Sequence, residues 1–387
     1  MTATAPVRPL RPSLRYGAPR PVIPGPGLPD DAVVEASNDD LNATRHDGTL
    51  YLAWRTAPSR FASPRARIQV LASDDGGHTW RLDYSVVAKR DLRWPRLVSW
   101  RGELLLSWST GGSKGRAFEP DRIWVTQRRG PDGWCEPRAI SPPGCATWRV
   151  RPLGDRLAMT VSRGAATSTT PHPVPLSVEL WGSDDGWSWG PFDPAHPVVH
   201  RGGAEAEVLP LPDGRVLSVI RKEGPEGGWG SDVGISPADD PTHWVCRPDP
   251  RKFDSPWLFL DAGRPVLIAR RTTGFGGWYD AVGTVEDRLD VEVPIDPHLR
   301  TRIDQGLDRV TPKRTSVHLV DPDTLEVDPV GDLPSAGDAA CATTVPTDDG
   351  AHLCFMSSSA PRPGSWPWRV GQLRPTPISV VELRFHP

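Results

Sequence analysis

The chain predicts an all-β fold, a six-bladed β-propeller with four-stranded antiparallel blades. Three observations point there. An apolar run, a short turn with glycine and a second apolar run recur six times along the 387 residues. Successive turns lie about fifty to sixty residues apart, which suits one four-stranded blade each. Proline (45) and glycine (37) are spread between the apolar runs, so they read as turns and not as one disordered tract. Tryptophan is abundant (17) and methionine scarce (3), as in a sheet protein with aromatic anchors.

The elements follow in order. Residues 1–30 are proline-rich and are expected to be an arm lying over the surface, or disordered. Residues 31–387 are expected to be a single propeller domain. Its hairpins are "NATRHDGTLYLAWRT" from Asn42, "PRLVSWRGELLLSWST" from Pro95, "VRPLGDRLAMTVSRG" from Val150, "AEVLPLPDGRVLSVIRKEG" from Ala206, "SPWLFLDAGRPVLIARRTTG" from Ser255 and "ATTVPTDDGAHLCFMSSSA" from Ala342. Alternation and turn chemistry mark each as a β-hairpin, with Gly48, Gly102, Gly154, Gly214, Gly263 and Gly350 in the turns. The last interval is longer because of an insertion at about residues 275–311. After it, "TSVHLVDPDTLEVDPV" supplies the outer hairpin of blade five. The final run, Ile378 to Phe385, is expected to complete the last blade and close the ring. No stretch reads as an amphipathic helix of any length.

Composition excludes several classes. The net charge is -3 with acidic and basic residues nearly balanced, and there is no basic block, so no nucleic-acid footprint is expected. Five cysteines, an odd number without CxxC spacing, favour neither a zinc site nor a disulfide framework. The N-terminus has no apolar signal region and no later stretch approaches a membrane span. A cytoplasmic, soluble chain with reduced thiols, no membrane partner and no cofactor is expected. The oligomeric state stays open. The histidines show no HxxxH or HxH spacing, and "GGWGS" (Gly227 to Ser231) lacks the strand–loop–helix context of a phosphate loop, so no metal site is expected.

The segment "SDDGGHTW" (Ser73 to Trp80) is the most distinctive turn, with a shortened copy "SDDGWSW" from Ser183 to Trp189. Weaker relics are Thr126 to Trp134 and Ser236 to Trp244. Each should fall where a blade's third strand turns into its fourth. Aspartate can accept backbone N–H bonds across such a turn, glycine supplies positive φ, and tryptophan packs between blades. The turn is therefore read as a structural staple. Metal binding by Asp74, Asp75 and His78 is the alternative, but one tight turn would have to supply nearly every ligand.

The candidate site follows from hairpin geometry. The start of each first strand and the end of each second strand share one face, around the mouth of the central channel. Blade one offers Asp39, Asp40 and Arg55; blade two Arg93 and Arg96; blade three Arg149, Arg151 and Arg163. Blade four offers Glu205, Glu207 and Arg221; blade five Lys252, Asp254, Arg270 and Arg271; blade six Asp338. Arginine forks bind carboxylates, sulfates or phosphates through two parallel bonds, and paired carboxylates can work on a glycosidic bond.

These turns on a six-fold hairpin repeat resemble the Asp boxes (S-x-D-x-G-x-T-W) of the sialidase superfamily of BNR-repeat propellers, which includes glycosidases, lyases and non-enzymatic binders. "AEAEVLPLPDGRVLSVIR" is similar to the sialidase blade in which a Glu opens the first strand and an Arg closes the second. The resemblance implies Glu207 as the catalytic carboxylate, with Glu205 as an alternative, and Arg221 as a grip on an acid group. The chain lacks the sialidase Arg-Ile-Pro motif, and its last blade opens "AGDAACATTV" without the tyrosine nucleophile. Tyr279, in the insertion, is the one late tyrosine. The expectation is a glycoside hydrolase-like enzyme of the small-molecule kind. Catalysis is expected from Glu207, Asp40 and Asp254. Arg55, Arg93, Arg149, Glu205, Arg221, Lys252, Arg270, Asp338 and Tyr279 are expected to bind a small, anionic or sugar-like substrate. The alternatives are a lyase, isomerase or cyclase using the same channel, and a non-catalytic ligand-binding propeller.

Overall fold

The computed structural model describes residues 13–112, 119–130, 133–164, 175–222, 228–273, 285–286, 289–339, 341–364 and 366–386. It is a six-bladed β-propeller of antiparallel blades, with six sheets of four or five strands. Blade one runs through Ser37–His46, Thr49–Ala57, Arg67–Ser73 and Arg81–Val87. The next four blades repeat this order, and in blade three a further strand, Val198–Arg201, pairs with the third strand, Ser177–Ser183. All six expected hairpin glycines have positive φ, from 61° at Gly154 to 89° at Gly214.

Both termini build blade six. Its inner hairpin is Ala342–Pro346 with His352–Ser357, and Ile378–His386 is the third strand. The outermost strand is Ser13–Tyr16, paired with Leu383 to His386. Arg20–Ile23 pairs with the same C-terminal strand further along. This differs from the expected surface arm: a lone C-terminal strand would leave an open edge, and the N-terminal segment covers it.

The acidic turns lie between third and fourth strands, as expected, and staple neighbouring blades. Asp75 accepts from the backbone N–H groups of His78 and Thr79 and from the hydroxyls of Ser73 and Thr79. These hydrogen bonds, that of the Thr79 hydroxyl foremost, hold its carboxyl well below the usual range. Trp80 packs edge-on against Phe355, in a cluster shared by blades one and six. Trp187 and Trp189 join a cluster of blades two and three in the same way. Gly27 sits so close to this turn that a Cβ there would lie 2.0 Å from the carbonyl oxygen of His78. Only glycine allows that approach.

One element was not expected. Within the insertion, Pro297–Val310 forms an α-helix, capped by Asp296, whose side chain accepts from the Leu299 N–H. Its buried residues are Asp304 and Asp308, four apart on one face. The sequence does carry helical spacing here, with Leu299, Ile303 and Leu307 at i, i+4 and i+8, but those side chains are exposed or half-buried and the buried face holds the two carboxylates. Among the described residues, no helix is long and apolar enough to cross a membrane.

Candidate functional site

The site is made where the innermost strands begin. In five blades the pairing of first with second strand gains one extra residue at this level, between Asp39 and Asn42, Arg93 and Arg96, Thr147 and Arg149, Gly203 and Ala206, and Asp254 and Trp257. Asp40, Trp94 and Ser255 sit inside these bulges with φ near +50°. A bulge turns side chains out of the sheet alternation and frees backbone groups. Here the freed groups are used: the Ser255 N–H donates to Glu205 (2.7 Å), and the Trp148 carbonyl accepts from Arg96 Nε.

On one side of the mouth, Arg60 gathers three carboxyls. Its Nη1 is 2.9 Å from Asp39 and 3.0 Å from Asp40, and its Nε is 3.7 Å from Asp338. Arg93 donates to Asp91 (2.7 Å) and lies 3.7 Å from Asp40. On the other side, Arg270 donates to Asp254 at 3.0 Å. Asp254 is also 3.6 Å from Lys252 and 3.6 Å from Arg221, while Arg221 reaches Glu205 at 3.0 Å. Trp368 joins the two sides: its ring lies 4.5 Å under the Arg270 guanidinium and its indole N–H donates to Asp338 at 2.9 Å. Lys252 caps the ring of Trp229 at 3.8 Å. Lys313 pairs with Asp308 of the helix and donates to Thr272 (2.9 Å).

These surroundings divide the carboxyls. Burial pushes Glu205 and Asp338 above the ordinary carboxylate range, and their arginines do not fully offset it. Burial acts the same way on Asp40 and Asp254, but nearby cations outweigh it and hold both well below that range. These are Arg60 and Arg93 at Asp40, and Lys252 and Arg270 at Asp254. Three buried carboxyl oxygens here, Asp40 Oδ2, Asp254 Oδ1 and Asp338 Oδ2, make no hydrogen bond to a described residue. Burial brings Lys313 down to about 8. The Cys341 sulfur lies 3.6 Å from Asp40, and burial pushes its thiol up to about 12, so it stays protonated.

Eight of the expected residues therefore meet at the mouth: Asp40, Arg93, Glu205, Arg221, Lys252, Asp254, Arg270 and Asp338. Arg55 does not line the channel. Its side chain is wholly buried, and it bonds Asp91 (2.9 Å) and the carbonyls of Leu92 and Phe61, joining blades one and two. Glu207 and Arg149 lie one strand step deeper. Both Glu207 oxygens are taken, one by Arg149 and the other by Arg151 (2.6 Å). Arg163 pairs with Glu179, and Arg271 with Asp332, away from this cluster. Tyr279 lies outside the described residues.

The residues that sequence reasoning missed, Arg60, Trp229, Asp308 and Trp368, all come from connections between a second and a third strand. Such a connection starts where the second strand exits, at the mouth. The hairpin rule that found the strand-end charges would have found these loops if carried one segment further.

No family model matches the chain, and neither does any curated protein sequence. Solved structures do. A protein of unknown function from Dyadobacter fermentans superposes with a TM-score of 0.62 at 14% identity, over 96% of this chain and 100% of that one. Trypanosoma rangeli sialidase gives a TM-score of 0.59 at 12% identity, over 96% of this chain and 60% of its own. This chain thus spans somewhat less than two thirds of that sialidase. Penicillium chrysogenum α-L-arabinanase, solved with arabinobiose, gives 0.54 at 14% identity, over 95% of this chain and 98% of its own. At such identities the likeness establishes the fold, which is sialidase-like.

Proposed function

We propose that the protein is an enzyme of glycoside hydrolase type that acts on a small anionic sugar at the channel mouth. The observation that carries this reading is the set of buried mouth carboxyls with unbonded oxygens, on Asp40, Asp254 and Asp338. Buried acceptors need donors, and a polyhydroxylated ligand supplies them. The division of the carboxyls supports the chemistry. Glu205, raised and partly open to the channel, is suited to protonate a leaving oxygen. Asp254, held ionised, is suited to act as nucleophile or base. Both lie within 3.6 Å of one nitrogen of Arg221. Such closeness fits the short carboxyl separation of retaining glycosidases, about 5 Å, better than the wider separation of inverting ones. Asp40 and Asp338, sharing Arg60, would hold sugar hydroxyls. Arg60, Arg93 and Arg221 would face the anionic group. Glu207 suits the catalytic role less well, because two guanidinium groups already occupy its oxygens. The sialidase and arabinanase likenesses support the substrate class.

The test is turnover of a panel of acidic and neutral glycosides by wild type, Glu205→Gln and Asp254→Asn. Turnover lost in both variants, with stereochemical retention in the product, supports the reading. Absence of any turnover, or turnover untouched by both changes, removes it. A second reading, a lyase or isomerase, draws on Lys313, a buried amine lowered to about 8 and therefore suited to take a proton beside a carbonyl. Activity abolished by Lys313→Met and kept in Asp254→Asn would favour it.

A further inference from the structure

Below the mouth, beside the inner strands, lies a cavity of about 340 Å³. Its wall comes from the first strands of five blades and includes Arg45, Ser99, Arg149, Arg151, Trp257 and Thr344. Blade four contributes Glu207, behind the arginines. Here charge is not matched. Arg149 and Arg151 share the single carboxylate of Glu207, and both stack on Trp257, at 4.3 and 4.9 Å from its ring centre. Arg96, buried just above, donates to the carbonyls of Trp148 and Pro95 and packs 4.8 Å from Trp148, with no carboxylate of a described residue within ion-pair distance. Three guanidinium groups thus stand in a region with one carboxylate, which pairs with only two of them, in a place where unneutralised charge is costly.

The hydrogen-bond inventory points the same way. The Arg149 side chain donates only through Nε, to Glu207; its two Nη groups donate to no described residue. Arg151 uses Nε and Nη2, on Glu207 and the Leu258 carbonyl, and leaves Nη1 unused. A free guanidinium fork at the wall of a cavity, fixed on one side by a carboxylate and on one face by a tryptophan, is a receptor for an oxyanion. Burial and the like charges of Arg96 and Arg151 bring Arg149 down to about 9, a penalty that a bound anion relieves.

We infer that this half of the channel is a second ligand site, distinct from the mouth, which binds one small oxyanion, a phosphate or a carboxylate group, through Arg149 and Arg151. Arg45, whose Nε donates to the Pro346 carbonyl (3.3 Å), stands at the far opening as the entry cation. The inference does not depend on what the mouth catalyses.

Calorimetric titration of the intact protein with inorganic phosphate, and separately with acetate, at constant ionic strength set by chloride, tests it. One-to-one binding is expected for at least one of the two, and the stronger identifies the source of the anion. Arg149→Gln should weaken it at least ten-fold. Glu207→Gln, which removes the carboxylate competing for the same fork, should strengthen it by a similar factor. Arg45→Gln, a change at the rim that leaves the packed interior intact, should weaken it several-fold and serves if Arg149→Gln does not fold. Arg60→Gln, at the mouth, should leave it unchanged. The inference fails if neither anion binds. It also fails if the Arg149, Glu207 and Arg45 changes leave the affinity unaltered, or if Arg60→Gln abolishes binding that Arg149→Gln retains.

Discussion

The mouth and the far half of the channel are built from the same six innermost strands, yet they handle buried charge in opposite ways. At the mouth each carboxylate has a cation beside it, and each of Arg60, Arg221 and Arg270 has a carboxylate within 3.0 Å. Two residues further along the strands, Arg149 and Arg151 share Glu207, and Arg96 near them pairs with no carboxylate of a described residue. The difference comes from the bulges. At their level, two consecutive residues of one strand can serve different partners: Asp39 faces Arg55 and Asp40 faces Arg93. Beyond them the alternation is strict and every second residue faces the axis, so a strand places one side chain there per step. Matched charge holds the mouth side chains in fixed positions, and unmatched charge in the far half leaves guanidinium donors for an anion.

The sharpest contrast comes from removing one cation from each region. Arg55→Met strips a wholly buried guanidinium from Asp39 and Asp91, and should lower the unfolding free energy by about 3–5 kcal/mol in a denaturant titration. Arg151→Met relieves a surplus of positive charge and leaves Glu207 paired with Arg149. Its effect should be smaller than that of Arg55→Met by at least ~2 kcal/mol in the same titration. Equal losses would break the comparison.

Catalysis sharpens it next. Asp254→Asn should reduce kcat/KM by roughly 10²- to 10⁴-fold, the contribution typical of a positioned acid or base. Arg45→Gln, far from the mouth, should leave kcat/KM within about two-fold of wild type, a difference of ~0.4 kcal/mol. Steady-state rates on any glycoside that is turned over will show whether the two halves are independent.

The pH dependence is a gentler probe. Asp254 and Asp40 have folded-state values below their unfolded ones. Their contribution to stability is full above the ordinary carboxylate range and is lost as pH falls below it. Glu205 and Asp338 are raised. Their contribution is full below that range and is lost as pH rises through their folded values. At pH 7, therefore, Asp338→Asn should destabilise less than Asp40→Asn. Activity should follow a bell whose acid limb is the protonation of Asp254 and whose alkaline limb is the ionisation of Glu205. Thermal melts and rate profiles from pH 3 to 8, about five units, would record the alkaline limb set by Glu205, and no acid limb should appear within the ordinary carboxylate range because Asp254 is held below it.

Most of the blade framework was legible in the sequence, because Gly48 and its counterparts punctuate runs whose alternation is local. The charged mouth was legible in part. Asp40, Glu205, Asp254 and Asp338 were found by asking where hairpin ends must lie. Arg55 was misplaced because it exits its strand at the mouth level but turns between blades, where Asp91 of the next blade meets it. The helix at Pro297–Val310 was readable in the spacing of Leu299, Ile303 and Leu307 but went unread; what the spacing does not reveal is that its buried residues are Asp304 and Asp308. The outer strand of blade six was unreadable for a different reason: Ser13–Tyr16 pairs with the opposite end of the chain.

By itself the sequence determined the repeat, the hairpin turns and the stapling acidic turns, since each rests on residues a few positions apart and on the backbone preferences of glycine, aspartate and tryptophan. Only the tertiary structure decided which carboxyls are raised and which are held ionised, and where positive charge is left in excess. Those outcomes depend on burial and on the summed field of groups from different blades, and these exist only once the ring has closed.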